Sequence, residues 1–200
     1  PPRSTLFPYT TLFRSELKIE AACSFSHAIS THKVSNEVEF FTALDDAKPK
    51  EVMDAGSSHM GTLEFNSATY YRYIGLDIGQ LVETMGGDEV LDKAIEGFTK
   101  ALYLAVPGAR QTTQAGYCPW DYAKVYVRRG QNLQASFDDP VKSKGEGFLK
   151  PSIERLNDFL EKKEKLSGSL FGKIDDFVWG EDDRFSIDDL IRGLQQAVKQ

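Results

Sequence analysis

Cysteine is scarce in this chain of 200 residues: only Cys23 and Cys118 occur, and neither has metal-ligand spacing around it. Two isolated thiols exclude a disulfide framework and a cysteine-based zinc site, and they suit a reducing compartment. Long apolar runs are missing too, with none reaching the roughly 18 residues a membrane-spanning helix needs. There is no phosphate-cradling glycine loop and no G-x-S-x-G turn, so two common catalytic frameworks lack a carrier. No segment recurs at the spacing of a solenoid repeat. Basic charge is in deficit, 24 Lys and Arg against 30 Asp and Glu, for a net of −6. That balance argues against indiscriminate polyanion binding, yet it leaves room for a local basic groove. What remains is a soluble, cytoplasmic, acidic protein large enough for one self-folding domain.

Residues 1–15 (PPRSTLFPYTTLFRS) hold the near-repeat TLFP and TLFR without a helical or strand period. They resemble the in-frame translation of a sequencing adapter and are set aside from fold reasoning. Pro8, Tyr9 and Arg14 interrupt any apolar signal-peptide core. Without Arg3 and Arg14 the remainder carries 22 basic and 30 acidic residues, a net of −8.

The richest block lies between residues 26 and 73: SHAISTHKVSNEVEFFTALDD, a charged spacer, then GSSHMGTLEFNSATYYRY. Two aromatic stretches of β character flank a polar excursion holding Pro49 and Gly56, which predicts a long hairpin rooted in a sheet. Residues 19–34 are expected to pass through a central strand, and residues 62–74 to return to the sheet. A helix is predicted over 88–106, with apolar positions Val90, Leu91, Ala94, Ile95, Phe98, Leu102 and Ala105, Asp88 as N-cap and Pro107-Gly108 as its stop. Residues 121–128 alternate like a strand, with Ala123, Val125 and Val127 on one face. A second helix is expected from Pro151 into the charged run 161–165. A last helix is expected over 187–199, opened by Ser186 with Asp189 at the capping-box position. Residues 165–184 read as an exposed connection. The fold class is mixed, α/β in the α+β sense.

All three histidines (His27, His32, His59) fall in the hairpin block. With Asp45 they suggest a metal-dependent nuclease, although strand positions five apart face opposite sides, so His27 and His32 do not converge on a strand. The plainer reading is histidines bonded to backbone. Cys118, in GYCPW, reads as a structural thiol. Arg72, Arg110, Lys142 and Lys144 sit on strands and loops near aromatics, a pattern able to follow a single RNA strand or to be ordinary surface charge. A protein-interaction module without nucleic acid stays open beside both.

Read with VPGARQTTQAGYCPWD at 106–121 and VKSKGEGFLKPSIERL at 141–156, the block resembles the CasC family. That family is the CRISPR-associated backbone subunit of the type I-E Cascade complex. The strings H-A-I-S-T-H, F-T-A-L-D-D, S-H-M-G-T-L-E-F and Y-R-Y occur in the family's order, from about residue 20 to about residue 160. The resemblance implies a modified RRM or ferredoxin-like palm with a protruding thumb at about 34–68. It implies no catalysis, no cofactor and no metal. It implies binding of CRISPR guide RNA, with further copies of the chain, other Cascade subunits and, through the guide, a target DNA strand as partners. Phe41, Thr42 and Met60 would be wedges beside a displaced base, and Arg110, Lys142 and Lys144 would contact the RNA. Met60 stands where the family has Leu, a volume-conserving change. The chain departs from the family before H-A-I-S-T-H, where the first strand, first helix and finger region belong. The expectation for 16–200 is therefore a partial palm with an exposed sheet edge, marginally stable in isolation.

Overall fold

The structure of the chain is a computed structural model that describes residues 20–43, 59–87, 89–105, 117–143, 145 and 147–200. Among these, eight strands, four α-helices and one 3-10 helix form a mixed α+β architecture of small antiparallel sheets. The described residues fall into two compact units. The first takes in the chain up to Ser26, Ile74–Leu133 and Lys163–Gln200; the second takes in His27–Tyr73 and Gln134–Lys162. Among the described residues no helix is long and apolar enough to cross a membrane.

In the first unit β1 (Cys23–Phe25) pairs antiparallel with β6 (Ile74–Leu76). Asp77 follows directly and caps α1 (Ile78–Met85), its carboxylate accepting from the Gln80 N–H at 3.0 Å. Gly86, at φ 75°, closes that helix in the left-handed conformation a side chain disfavours. Helix α2 (Leu91–Leu104) buries Leu91, Ile95 and Thr99 at helical spacing. It starts at Val90 with no side-chain cap, and the expected cap Asp88 lies outside the described residues.

Helix α4 (Ile187–Ala197) opens with the complete capping box of Ser186 and Asp189, packs on α2 and buries Leu190 and Ile191. Strand β7 (Ala123–Arg128) pairs antiparallel with β8 (Lys173–Trp179), which follows the 3-10 turn Gly168–Phe171. The alternation of β7 holds: Ala123, Val125 and Val127 stand opposite Trp179, Phe177 and Asp175. Helix α4 approaches β8 so closely that a Cβ on Gly193 would lie 2.5 Å from Phe177 Cε1. Both tryptophans join Tyr103 in one edge-to-face cluster, with centroids 5.6–6.2 Å apart.

Strand β8 corrects the reading of 165–184 as an exposed connection. Its acidic pair Asp175-Asp176 hides the alternation, and the cations that answer Asp176 come from elsewhere. Lys124 hydrogen-bonds to it from across the ladder, and Lys173 lies 2.8 Å away and also 3.2 Å from Glu164. Burial alone would raise the Asp176 carboxyl, but the hydrogen bonds from Lys124 and Lys173 outweigh it and hold it below the ordinary carboxylate range. A depressed carboxylate contributes stability above its unfolded value, near 3.9, and loses it as pH falls through the lower folded value. Urea midpoints are therefore expected to drop below about pH 4, and less steeply in Asp176→Asn. Parallel pH profiles for the two proteins would refute the assignment.

In the second unit β2 (Ile29–Ser30) pairs with β5 (Tyr70–Tyr71), and β3 (Glu37–Ala43) pairs with β4 (His59–Phe65) over seven rungs. Helix α3 (Leu149–Ser167) begins two residues before Pro151 and runs beyond the expected charged end. Residues 19–34 are not one strand. β1 and β2 are separate pieces that pair with different partners, because Ser26, His27 and Ala28 break the ladder between them. Helix α1 was not expected; Asp77 and the Gly86-Gly87 pair are its local signals.

Candidate nucleic-acid interface

The hairpin of β3 and β4 is a two-stranded ribbon that keeps its aromatic side chains in solvent. Phe40 is 78% exposed and Phe41 54% exposed. Solvated phenyl rings of this kind are the groups on which a nucleobase stacks. Register sets their company. Phe41 pairs with Gly61, Thr42 with Met60 and Phe40 with Thr62. The side chains of Thr42 and Met60 lie outside the described residues.

Phe41 lies across its partner. A Cβ on Gly61 would sit 2.4 Å from Phe41 Cζ and 2.7 Å from Cε1. Only a glycine leaves the bare backbone on which the ring rests, the cross-strand device by which an aromatic covers a glycine. The glycine of H-M-G-T is therefore a seat for Phe41, a role that its sequence neighbourhood does not announce.

The ribbon itself supplies no cation among its described side chains. Glu37, Glu39 and Glu64 stand on it, and Asn36 bridges Glu64 and Asn66 at 3.5 and 3.1 Å. Neutralisation of a phosphate chain has to come from another segment. Lys142 is exposed on the segment between Val141 and Phe148, which includes Gly145 and Gly147 at φ 104° and 83°. Upstream of it, the Ala135 N–H donates to the Tyr71 hydroxyl at 3.0 Å and Phe137 packs on Tyr71, centroids 5.1 Å apart. Burial pushes the Tyr71 hydroxyl up, partly offset by that backbone bond. Arg110 and Lys144 lie outside the described residues. Arg72 is exposed beside β5.

The histidines separate. His32 is buried; its Nδ1 donates to the Lys33 carbonyl at 3.1 Å and its Nε2 accepts the Thr69 N–H at 3.2 Å. With both ring nitrogens committed to backbone, His32 has no lone pair left for a metal. His27 is exposed, the His59 side chain lies outside the described residues, and so does Asp45. Among the described residues no group of three or more His, Cys, Asp or Glu could hold a metal ion. Cys118 is exposed and Cys23 half-buried.

The family described as CT1975-like protein matches residues 13–187 of the chain. Among solved structures, a chain of a CRISPR RNA-guided surveillance complex aligns over 88% of this chain and 70% of its own length, with a TM-score of 0.73 at 26% identity. A chain of a CRISPR RNA-guided surveillance complex described as pre-nicking aligns over 88% of this chain and 50% of its own, with a TM-score of 0.70 at 25% identity. No curated protein matches the chain.

Proposed function

The chain belongs to the family of CT1975-like proteins, and on that premise we propose that it is a noncatalytic backbone subunit of a type I-E Cascade surveillance complex. It binds CRISPR guide RNA, polymerises along it with further copies of itself, and presents it for pairing with a target DNA strand. The palm is of the modified RRM or ferredoxin-like kind, and the ribbon of β3 and β4 is its thumb. The observation that carries this reading is the likeness, over most of the chain, to a component of an RNA-guided surveillance complex.

The chemistry of the ribbon and the lysine segment agrees with that role. Base pairing by the guide reads the target sequence, so the protein needs only sequence-independent backbone contacts and apolar wedges. An acidic ribbon does not attract polyanions at large, but its solvated Phe41, together with Thr42 and Met60, can wedge beside a displaced base. Lys142 and Lys144, with Arg110, supply the phosphate contacts.

The test is a filter-binding titration of the full chain against labelled oligo(U) at several salt concentrations, with and without Mg²⁺ or Mn²⁺. Affinity that falls with salt, without cleavage, is the expected result. Lys142→Ala with Lys144→Ala is expected to weaken binding about fivefold per lysine, alike for all sequences. The same pair should flatten the log–log salt slope by about 1.4, roughly 0.7 for each phosphate contact on a single strand. Metal-dependent cleavage would overturn the reading in favour of a nuclease. A change in sequence preference would overturn the backbone-contact assignment of the lysines.

A further inference from the structure

The segment that carries Lys142 is tied at both ends to two adjacent residues of the H-A-I-S-T-H string. Just before it, the Val141 N–H donates to the Thr31 carbonyl at 2.9 Å. Just after it, the Phe148 ring stacks on the His32 ring, centroids 3.7 Å apart and planes 11° from parallel. The Thr31 hydroxyl lies 2.7 Å from Ser152 Oγ, and the Ser152 hydroxyl donates to the Phe148 carbonyl at 2.5 Å. The Thr31 hydroxyl also donates to the Thr69 carbonyl at 3.2 Å, so its one proton is divided between Ser152 and Thr69 while Ser152 gives its own to Phe148. The same two residues also hold the returning arm of the hairpin. The Thr31 N–H donates to the Thr69 carbonyl at 3.0 Å, and the Thr69 N–H donates to His32 Nε2 at 3.2 Å.

Thr31 and Ser152 are 2% and 5% exposed, and His32 is 9% exposed. Buried hydroxyls and imidazoles are costly unless fully bonded, and satisfied networks of this kind rigidify what they join. What they join here is informative. The segment between the two pins contains Gly145 and Gly147 at positive φ, backbone with a large entropy to lose. A lysine on such backbone meets a phosphate at a high ordering cost unless its base is already held.

We infer that Thr31 and His32 are positioning residues for RNA: one buried knot holds the base of the Lys142 segment and the root of the hairpin in a single register. This inference rests on the proposed function, because it takes Lys142 to be a phosphate contact. It explains why a histidine with no free nitrogen stands in the string. Its work is to stack on Phe148 and accept from Thr69.

The experiment is a double-mutant cycle on the full chain, read by anisotropy of fluorescein-labelled oligo(U) across salt concentrations. Thr31→Val removes the bridging hydroxyl at nearly constant volume, and Thr31→Ser restores it. Thr31→Val is expected to weaken binding about three- to fivefold and to flatten the salt slope by about 0.7, the loss of one single-strand phosphate contact. Thr31→Ser is expected to match the parent. In a Lys142→Ala background, Thr31→Val is expected to change nothing further, because residues acting through one contact are not additive. Additive losses, or an unchanged salt slope in Thr31→Val, overturn the inference while leaving the lysine contact standing. No effect of Lys142→Ala alone overturns the contact itself, and the inference falls with it. Should Thr31→Val fail to fold, judged by near-ultraviolet circular dichroism, Ser152→Ala breaks the same bridge from the helix side and carries the same expectations.

Discussion

Gly172→Ala is expected to cost the protein about 3 kcal/mol or more of folding stability, read as a lowered urea midpoint or as insoluble expression. Gly172 caps the 3-10 turn at φ 66° and immediately precedes β8. A Cβ there would lie 2.0 Å from the Arg129 carbonyl oxygen and 2.9 Å from its carbon. The obstacle is backbone, and it is the same backbone whose N–H donates to the Gly172 carbonyl at 2.8 Å. It cannot withdraw without opening the end of the β7–β8 ladder. The left-handed conformation adds about 1–2 kcal/mol for any residue with a Cβ. Gly180 repeats the arrangement at the other end of β8, at φ 99° with a Cβ 2.2 Å from the Asp121 carbonyl oxygen. Both tryptophans sit in the cluster beside this strand, so their fluorescence reports the loss directly. A Gly172→Ala protein with the parent's urea midpoint would show that the strand is not clamped this way.

Phe41→Ala is expected to weaken oligo(U) binding by about 5- to 150-fold, since stacking of a base on an aromatic ring contributes about 1–3 kcal/mol. The sharper expectation concerns a residue that touches no ligand. Gly61→Ala should produce much of the same loss, because its Cβ would occupy space 2.4 Å from Phe41 Cζ and drive the ring off its seat. The ring is the flexible partner, so the hairpin should survive, and far-ultraviolet circular dichroism of Gly61→Ala should match the parent. Binding by Gly61→Ala at parent strength, alongside a large loss in Phe41→Ala, would show that the ring works from another rotamer. Equal binding by all three proteins would remove the ribbon from the RNA altogether.

Much of the fold was readable locally because its signals are local. The capping box of Ser186 and Asp189, the alternation of β7 and the apolar spacing of α2 each depend on neighbours within one or two turns or pleats. The hairpin was readable too, from two aromatic β-rich stretches around a polar spacer. Strand β8 was not. Asp175-Asp176 makes K-I-D-D-F-V-W look solvated until Lys124, some fifty residues upstream and opposite Val178, reaches diagonally across the ladder to Asp176. The single strand expected over 19–34 fails for a related reason. Nothing in its residues says that β1 and β2 have different partners, Leu76 for Cys23 and Tyr71 for Ile29.

The candidate interface divides along the same line. The ingredients were legible in the residues alone: an acidic chain with few thiols, aromatics in a hairpin, a glycine-flanked lysine pair and a string of motifs in a family's order. These follow from residue type and short spacing. It took the folded chain to show that Phe41 rests on Gly61 and that His32 is a backbone clamp. The reason is physical. Side-chain period along a strand says which residues alternate, but pairing register says which residue meets which, and a one-residue slip would exchange every partner. Likewise, a histidine's chemistry is set by what reaches its two nitrogens, and for His32 one of those groups comes from thirty-seven residues away.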